Sequence, residues 1–478
     1  MIAVALDLLP YLPEIVIALA AVGALLACVF TTDDVAPTLY AVAISALIAA
    51  LVITLLWTPL QEEVARVFVQ DGFARYAKLL ILAAGALSMI LALLYARAHS
   101  FERRIFPGLV LLGTLGMMLM VSAHDLVGAY LAVELQALAV CCAVAMRRGS
   151  ALGDEAALKL LTLGALSSAL MVFGVSVVFT FTGATRFDEV AAALGGQGPS
   201  MGATVGMVLV LAGLAFKVSA APFHAFVPDV YEGAPGPVVT FLAAVPFIAA
   251  FALLTRVLMD AFEPLAIEWQ HILVILSALS MLVGSLAAMA QTNLMRMLAY
   301  ASIGHAGFIL MGLAAGSDQG VEGVVVYGTT YAATILGVFA CLLGLQRVDQ
   351  GQVEEIDDLA GLIRTQPWTA SALALLSLSL IGVPPLIGFF GKLFVFLAAI
   401  EAELMVLAII GVFASLVLAY AHLRLVRVML IDEPSGWFEA VPAGMRTVVI
   451  LAGAFSVLFL MVWTPILSAA TEAAQSLF

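Results

Sequence analysis

Charged side chains are scarce. Asp, Glu, Lys and Arg make up 11% of the 478 residues against 64% hydrophobic, and the mean hydropathy is +1.16. A chain with so little polar material cannot coat a water-soluble globule, so it belongs in a bilayer with little left for a soluble domain. Basic residues are the scarcer sign, 19 against 32 acidic, which argues against a nucleic-acid partner, since that would want a basic face to neutralise phosphate. Cysteine is rarer still: Cys28, Cys141, Cys142 and Cys341 all lie inside apolar runs, without the paired CxxC spacing of zinc or iron–sulfur ligation. They read as small core residues. The opening MIAVALDLLPYLPE has no basic stretch before its first apolar run, so a cleaved signal peptide is not expected and the first helix should be kept.

What is present is a succession of apolar runs, near 15–30, 38–57, 79–94, 105–121, 126–146, 157–182, 201–227, 235–255, 270–290, 297–316, 323–345, 369–400, 403–423 and 447–470. Most are close to the roughly 20 residues that a spanning helix needs, which predicts an all-α membrane protein of about 14 transmembrane helices. Segments such as TTDDVAP, HSFERR and PDVYEGAPGP punctuate the runs. An even number of spans puts both termini on one side. Odd-numbered loops hold eleven basic residues (Arg97, Arg103, Arg104, Arg147, Arg148, Arg296, Arg347, Arg364, Arg424, Arg427 and Arg446), whereas even-numbered loops hold five (Arg66, Arg75, Lys78, Arg186 and Arg256). Basic loops are retained in the cytoplasm, so both termini are expected outside.

The remaining basic residues, Lys159, Lys217 and Lys392, fall inside predicted spans. A charge at the centre of a bilayer helix costs roughly 2.5–3.5 kcal/mol on insertion scales, which makes each a functional candidate. Two runs are interrupted by proline, FKVSAAPFHAFVP around Pro222 and LSLIGVPPLIGFFGK around Pro384 and Pro385. Proline frees a backbone carbonyl, tolerated at membrane depth only beside protein or a water-filled cavity, so broken helices are expected at both places. Breaks in corresponding places point to two inverted repeats, about 105–260 and 270–430, each of five spans with its break in the fourth. Residues 1–104 would then form three preceding helices and 442–478 a last one.

Glu134 lies ten residues beyond His124 in HDLVGAYLAVELQALAV, about 15 Å into the core and so near its middle. A carboxylate there takes up a proton when alone and stays ionised beside an ammonium. Lys217 sits five residues before Pro222 and Lys392 seven after Pro385, each beside backbone that water can reach. A buried lysine whose neighbouring carboxylate moves by a few ångström can be loaded with or stripped of its proton. Snorkelling to the interface is the plainer alternative, strongest for Lys159, which follows DEAALK at the start of its helix. His224 and His305 are placed within spans as relays between lysines or as hydrogen-bonded packing residues. A continuous helix would set Lys217 and His224 on one face about 10 Å apart, with a hydroxyl such as Ser219 or water between. QVEEIDDLAG reads as a solvated cytoplasmic loop, and FVQDGFARYAK as an interfacial segment anchored by Arg75, Tyr76 and Lys78.

At Glu134, Lys217 and Lys392 the pattern resembles the antiporter-like subunits of respiratory complex I and their relatives in multisubunit cation/proton antiporters. Those proteins carry a glutamate in the fifth helix, a lysine in the seventh and a lysine or glutamate in the twelfth. PFHAFVPDVYEGAP at 222–235 is similar to the segment that sets the subunit N type apart, supported by MRMLAYASIGHAGF at 295–308 and GFFGKLFVF at 388–396. The length is that expected without the long lateral helix of subunit L, and lysine at 392 departs from the glutamate usual in subunit M. Phe247 stands in TFLAAVPFIAAF where the resemblance leads one to expect a lysine, leaving a gap between Lys217 and Lys392 that water and His305 would have to bridge. Phe226 stands in place of an expected tryptophan, a packing change.

The resemblance implies a subunit of an NADH-quinone oxidoreductase, a translocase. It would move protons through Glu134, Lys217, His224, His305 and Lys392, with Lys159 a further candidate, while NADH is oxidised and quinone reduced elsewhere in the complex. No redox cofactor or metal is expected in this chain; FMN, iron–sulfur clusters and quinone are expected in other subunits. The partners implied are antiporter-like subunit M, small membrane subunits and lipid. A sodium/proton antiporter subunit using the same lysines is the alternative. A haem carrier is a more distant one, needing paired histidines such as His224 and His305 on facing helices.

Overall fold

The structure is a computed structural model describing all residues except 1–8, 31–34, 57–60, 65–66, 100–103, 148, 198–199, 349–350 and 435. Arg66, Arg103 and Arg148 of the loop tally lie outside the described residues. The helices in chain order are α1 (Leu12–Phe30), α2 (Ala36–Leu56), α3 (Gly72–His99), α4 (Ile105–Ser122), α5 (Leu126–Val144), α6 (Ala151–Thr182), α7 (Phe187–Gln197), α8 (Met201–Lys217) and α9 (Val227–Gly233). There follow α10 (Gly236–Arg256), α11 (Ala266–Ala290), α12 (Leu294–Ala314), α13 (Asp318–Leu343), α14 (Leu362–Thr365), α15 (Pro367–Ile381), α16 (Ile387–Glu401), α17 (Met405–Leu430) and α18 (Ala443–Gln475). Two short antiparallel hairpins, Gln61–Val64 with Phe68–Gln70 and Gln346–Arg347 with Gly351–Gln352, occupy connections. Among the described residues eleven helices are long and apolar enough to cross a membrane, or up to twelve if α18, bent by 80° between Phe459 and Trp463, is counted as one span. The chain is therefore a multi-pass, all-α membrane bundle.

Polar side chains at the expected punctuation start these helices. The carboxylate of Asp125 accepts from the backbone amides of Val127 and Gly128, and Ser150, Ser200, Asn293 and Ser317 each accept from an amide of the first turn, satisfying donors that a helix start leaves free. Inside the bundle there is no hydrophobic drive between apolar helices, so close backbone approach and polar contacts hold them. Gly284 of α11 meets Gly304 of α12 so closely that an added Cβ would lie 2.3 Å from the Gly304 nitrogen. Ser277 donates to the Gly307 carbonyl at 2.7 Å across the same interface, and Ser167 to the Gly213 carbonyl at 2.9 Å between α6 and α8. The apolar windows of α12, α10 and α13 are 94%, 89% and 83% buried, whereas those of α1 and α6 are 28% and 33% buried. The centre of the bundle is thus α10, α12 and α13, which bury Thr240, Thr255, Ser302, His305, Thr330 and Thr334 within protein.

Both proline interruptions break their runs. The run at 201–227 ends as helix at Lys217, passes through Ser219 at φ +60° and a cis bond before Pro222, and resumes only as the short α9. The run at 369–400 ends at Ile381, turns through Gly382 at φ +90° with a cis bond between Pro384 and Pro385, and resumes as α16. A helix bond from residue 385 to the Ile381 carbonyl is impossible because proline has no N–H. Lys392 makes that bond instead: its Nζ donates to the Ile381 carbonyl at 2.7 Å, placing a cation at the negative end of α15.

Two residues taken as loop or interface cations are buried. Lys78 is 2% exposed, paired with Glu14 at 2.6 Å and hydrogen-bonded to Gln70. It therefore does not anchor at headgroup level, since an ion pair in low dielectric holds it inside. Arg256 is 1% exposed at the end of α10, held by Asp71, Asp260 and the Val121 carbonyl. Arg75 donates to the carbonyls of Thr54 and Leu55 at the end of α2. Taking Lys78 and Arg256 from the even-numbered loops widens the basic bias towards the odd ones.

Candidate functional site

Glu134 on α5 and Lys217 at the end of α8 line one cavity of about 200 Å3, with Ser168 of α6, Ser219 at the break, and Tyr231, Phe247 and Ser302 at its inner wall. That volume accommodates several waters, at roughly 30 Å3 each. The Glu134 carboxylate accepts a hydrogen bond from the Ser168 hydroxyl and interacts electrostatically with Lys217. No ion pair within 4.0 Å joins the two among the described residues; the Lys217 ammonium lies over the Phe216 ring at 5.6 Å. Lys217 stands on the last turn of α8 because its helix ends there, and Ser280 of α11 covers the break by accepting from the Ala221 amide at 2.8 Å.

The second cluster lies across the bundle centre. His305 of α12 is 2% exposed, its Nδ1 2.8 Å from the Tyr327 hydroxyl of α13 and its ring 5.1 Å from that of Tyr331. The Lys392 ammonium donates to Ser415 of α17 at 3.0 Å and lies 4.8 Å from the Phe308 ring. His422 of α17, wholly buried, interacts electrostatically with both His305 and Lys392. Sequence reasoning missed His422, which closes an apolar run, and also the hydroxyls of Tyr327 and Tyr331. Their spacing of four on one helix was the available signal, since it sets both on one face.

The clusters meet at the wall of the cavity. Phe247 packs on Tyr331 with ring centroids 4.6 Å apart, and the hydroxyls of Tyr231, Ser302 and Tyr331 are neighbours beside it. Hydroxyl groups thus stand beside the apolar ring that fills the position where a lysine was expected.

His224 and Lys159 stand apart from this line. α8 does not continue past Lys217, so His224 does not share a helical face with it; it sits in the turn, edge-on to Tyr300 at 6.5 Å. His224 and His305 line no common cavity among those described, and no group of three or more His, Cys, Asp or Glu converges as a metal site among the described residues. Lys159 is 41% exposed and pairs with Glu155 at 2.6 Å and Asp229 at 2.5 Å. Asp229 and Glu232 of α9 also hold Arg296 of α12, each at 2.8 Å. The acidic residues of DVYEGAP therefore tie α6, α9 and α12 together at one end of the bundle.

Fold and site together define an antiporter-type membrane subunit. Residues 123–418 match the family model described as NADH:quinone oxidoreductase/Mrp antiporter, TM. The chain is 47% identical over 467 residues to NADH-quinone oxidoreductase subunit N 1 of Rhizobium meliloti, covering 98% of this chain and 97% of the relative. It is 44% identical over 474 residues to NADH-quinone oxidoreductase subunit N of Parvibaculum lavamentivorans, covering 98% of each. It belongs to the NADH-quinone oxidoreductase subunit N family. A chain in the structure of respiratory complex I from Thermus thermophilus with bound aureothin superposes with a TM-score of 0.82 at 30% identity, covering 96% of this chain and 100% of that one. A chain of the Mrp complex from a Dietzia species shares the fold, with a TM-score of 0.84 at 19% identity over 98% of this chain and 97% of that one.

Proposed function

We propose that this chain carries protons across the bacterial inner membrane as the N-type subunit of an NADH-quinone oxidoreductase. The observation that carries this is the placement of Glu134 and Lys217 on one cavity, with Tyr231 and Ser302 at its wall and Tyr331, His305 and Lys392 beyond. A proton entering from the cytoplasm through water is taken up by Lys217, whose affinity for it Glu134 controls. The proton passes by way of Tyr231, Ser302 and Tyr331 to His305 and leaves through Lys392. His224, in the turn after Lys217, and Lys159, paired with Asp229, are kept as further candidates on this pathway. Hydride and electron transfer occur in partner subunits that hold FMN, iron–sulfur clusters and quinone; subunit M and small membrane subunits are its neighbours.

The same proposal includes fourteen spans with periplasmic termini. The segments 105–260 and 270–430 would be inverted repeats, preceded by 1–104 and followed by 442–478, and the helix breaks at Pro222 and Pro384 fall in the fourth span of each repeat.

Gentle affinity purification of the chain from its native membrane, with an assay for inhibitor-sensitive NADH:quinone reduction, tests the assignment. Activity with co-eluting flavin and iron–sulfur signals is expected. A silent eluate of other hydrophobic subunits would instead favour a cation/proton antiporter. Lys217→Ala should abolish proton uptake by vesicles while leaving the protein inserted; normal uptake removes Lys217 from the pathway.

A further inference from the structure

Helix α17 carries a buried titratable side chain that the pathway above does not use. The Nδ1 of His422 lies 3.1 Å from the carbonyl oxygen of Leu418, one turn back. Only a protonated Nδ1 makes that contact favourable, which leaves the lone pair on Nε2. That Nε2 is buried and, among the described residues, has no hydrogen-bond partner; the Nε2 of His305 is in the same condition. Buried polar atoms without partners are rare and call for a function or a solvent path. Here two of them flank one buried lysine.

The helix connects His422 to that lysine. The Lys392 ammonium donates to the Ser415 hydroxyl, and Ser415 and His422, seven residues apart, lie on one face of α17 about 10 Å from each other. Past His422 the helix presents Arg424, which donates to the Gln291 carbonyl at 3.0 Å, and then Arg427. The basic bias assigns that end to the cytoplasm. His422 therefore lies between Lys392 and the cytoplasmic face.

We propose that His422 is a proton-loading residue that feeds Lys392 from the cytoplasmic side, giving the second half of the protein an inlet separate from the one at Lys217. This rests on the reading of Lys392 as a proton carrier. A proton arriving at Nε2 makes an imidazolium, and its return from the same atom through water to the neutral Lys392 amine restores the ring; no other bond changes and Nδ1–H stays on Leu418. Two positive charges this close in a poorly polarisable core oppose each other, so His422 fills while Lys392 is neutral and empties as Lys392 becomes charged.

The test uses the intact complex in vesicles, with His422→Gln, which retains a donor for Leu418, and His422→Leu. NADH oxidation by an artificial acceptor at the flavin should be unchanged in both, showing assembly. Coupled NADH:quinone turnover should fall roughly a hundredfold in both, the lower end of what a positioned proton-transfer group contributes, with an enlarged solvent deuterium isotope effect that a packing defect would not produce. Native turnover, proton uptake and isotope effect in His422→Gln would overturn the proposal, and that variant decides alone if His422→Leu does not assemble. Lys392→Ala is measured in parallel: if it pumps normally, the role of Lys392 itself fails. A silent Lys392→Ala beside a native His422→Gln removes only the inlet.

Discussion

Replacing Arg256 with methionine should destabilise the protein more than any exposed substitution. The guanidinium meets both oxygens of Asp71 at 2.7 and 2.8 Å, Asp260 at 3.1 Å and the Val121 carbonyl at 3.1 Å, while 1% exposed. At 2.7 Å and an effective dielectric of about 20, one such charge pair has a gross attraction of about 6 kcal/mol. Most of that offsets the cost of taking the charges out of water. Removing the arginine alone leaves two neighbouring carboxylates, 16% and 15% exposed, without a counter-ion, a loss of about 3–5 kcal/mol. The cluster ties the ends of α4 and α10 to the start of α3, so the variant should melt several degrees lower in detergent, followed by loss of the monodisperse peak in size-exclusion chromatography. The penalty comes from stranded charge, so adding Asp71→Asn and Asp260→Asn to Arg256→Met should recover most of it. Arg256→Met melting with the wild type, or a triple variant as unstable as the single one, would refute the reasoning.

Two further outcomes follow from local geometry. Gly284→Ala should prevent close packing of α11 on α12, because the new Cβ would lie 2.3 Å from backbone nitrogen that cannot move aside; folded yield from membranes should drop sharply, whereas Gly23→Ala, which meets nothing within 4 Å, should leave it unchanged. At the outer surface, the paired hydrogen bonds from Arg186 to Asp188, at 2.9 and 3.0 Å, hold the Asp188 carboxyl below its usual range. A depressed value stabilises the fold above the unfolded value near pH 4 and is lost as pH falls through the folded value. Amide exchange in α7, corrected for its intrinsic pH dependence, should therefore rise on acidification below about pH 4, and Asp188→Asn should remove that rise.

Much of the fold was legible because its two strongest signals are one-dimensional. Apolar length marks the spans, and proline at 222 and 384–385 removes backbone donors that a continuous helix needs, although α10 runs on through Pro246. Lys217 and Lys392 were legible for the same reason, being charges in runs that otherwise have none. Lys78 and Arg256 were not, because a cation near a span end has the same local sequence whether it meets headgroups or a buried carboxylate; only the distant Glu14 and Asp71 decide it. His422 was hidden differently. It closes an apolar run two residues before Arg424, and periodicity in an all-round apolar helix cannot tell a lipid-facing histidine from one turned inward. The separation of His224 from Lys217 depended on where α8 stops, a property of the turn at Ser219 and Pro222 and of no single residue.

The place where the sequence suggested a break in the polar line is where the structure supplies hydroxyls. Phe247 is 8% exposed and packed at a tilt against Tyr331 and Phe251, ring centroids 4.6 and 4.9 Å away, so nothing titratable occupies its position. The Tyr331 hydroxyl beside it is buried and, among the described residues, has no partner in hydrogen-bonding geometry, while its ring lies 5.1 Å from that of His305. A phenol can pass a proton by accepting on one side and donating on the other without holding a charge, which suits a passage between two cationic sites better than a third cation between them. Tyr331→Phe removes that oxygen and nothing else of the ring, so packing against Phe247 survives and the cost in stability should stay under about 1.5 kcal/mol. Coupled proton uptake should nevertheless fall severalfold, and Phe247→Lys in the same background, which places an ammonium at the cavity wall, should restore part of it. Uptake unaffected by Tyr331→Phe would mean that protons reach His305 by another route, and the hydroxyls around Phe247 would then be packing alone.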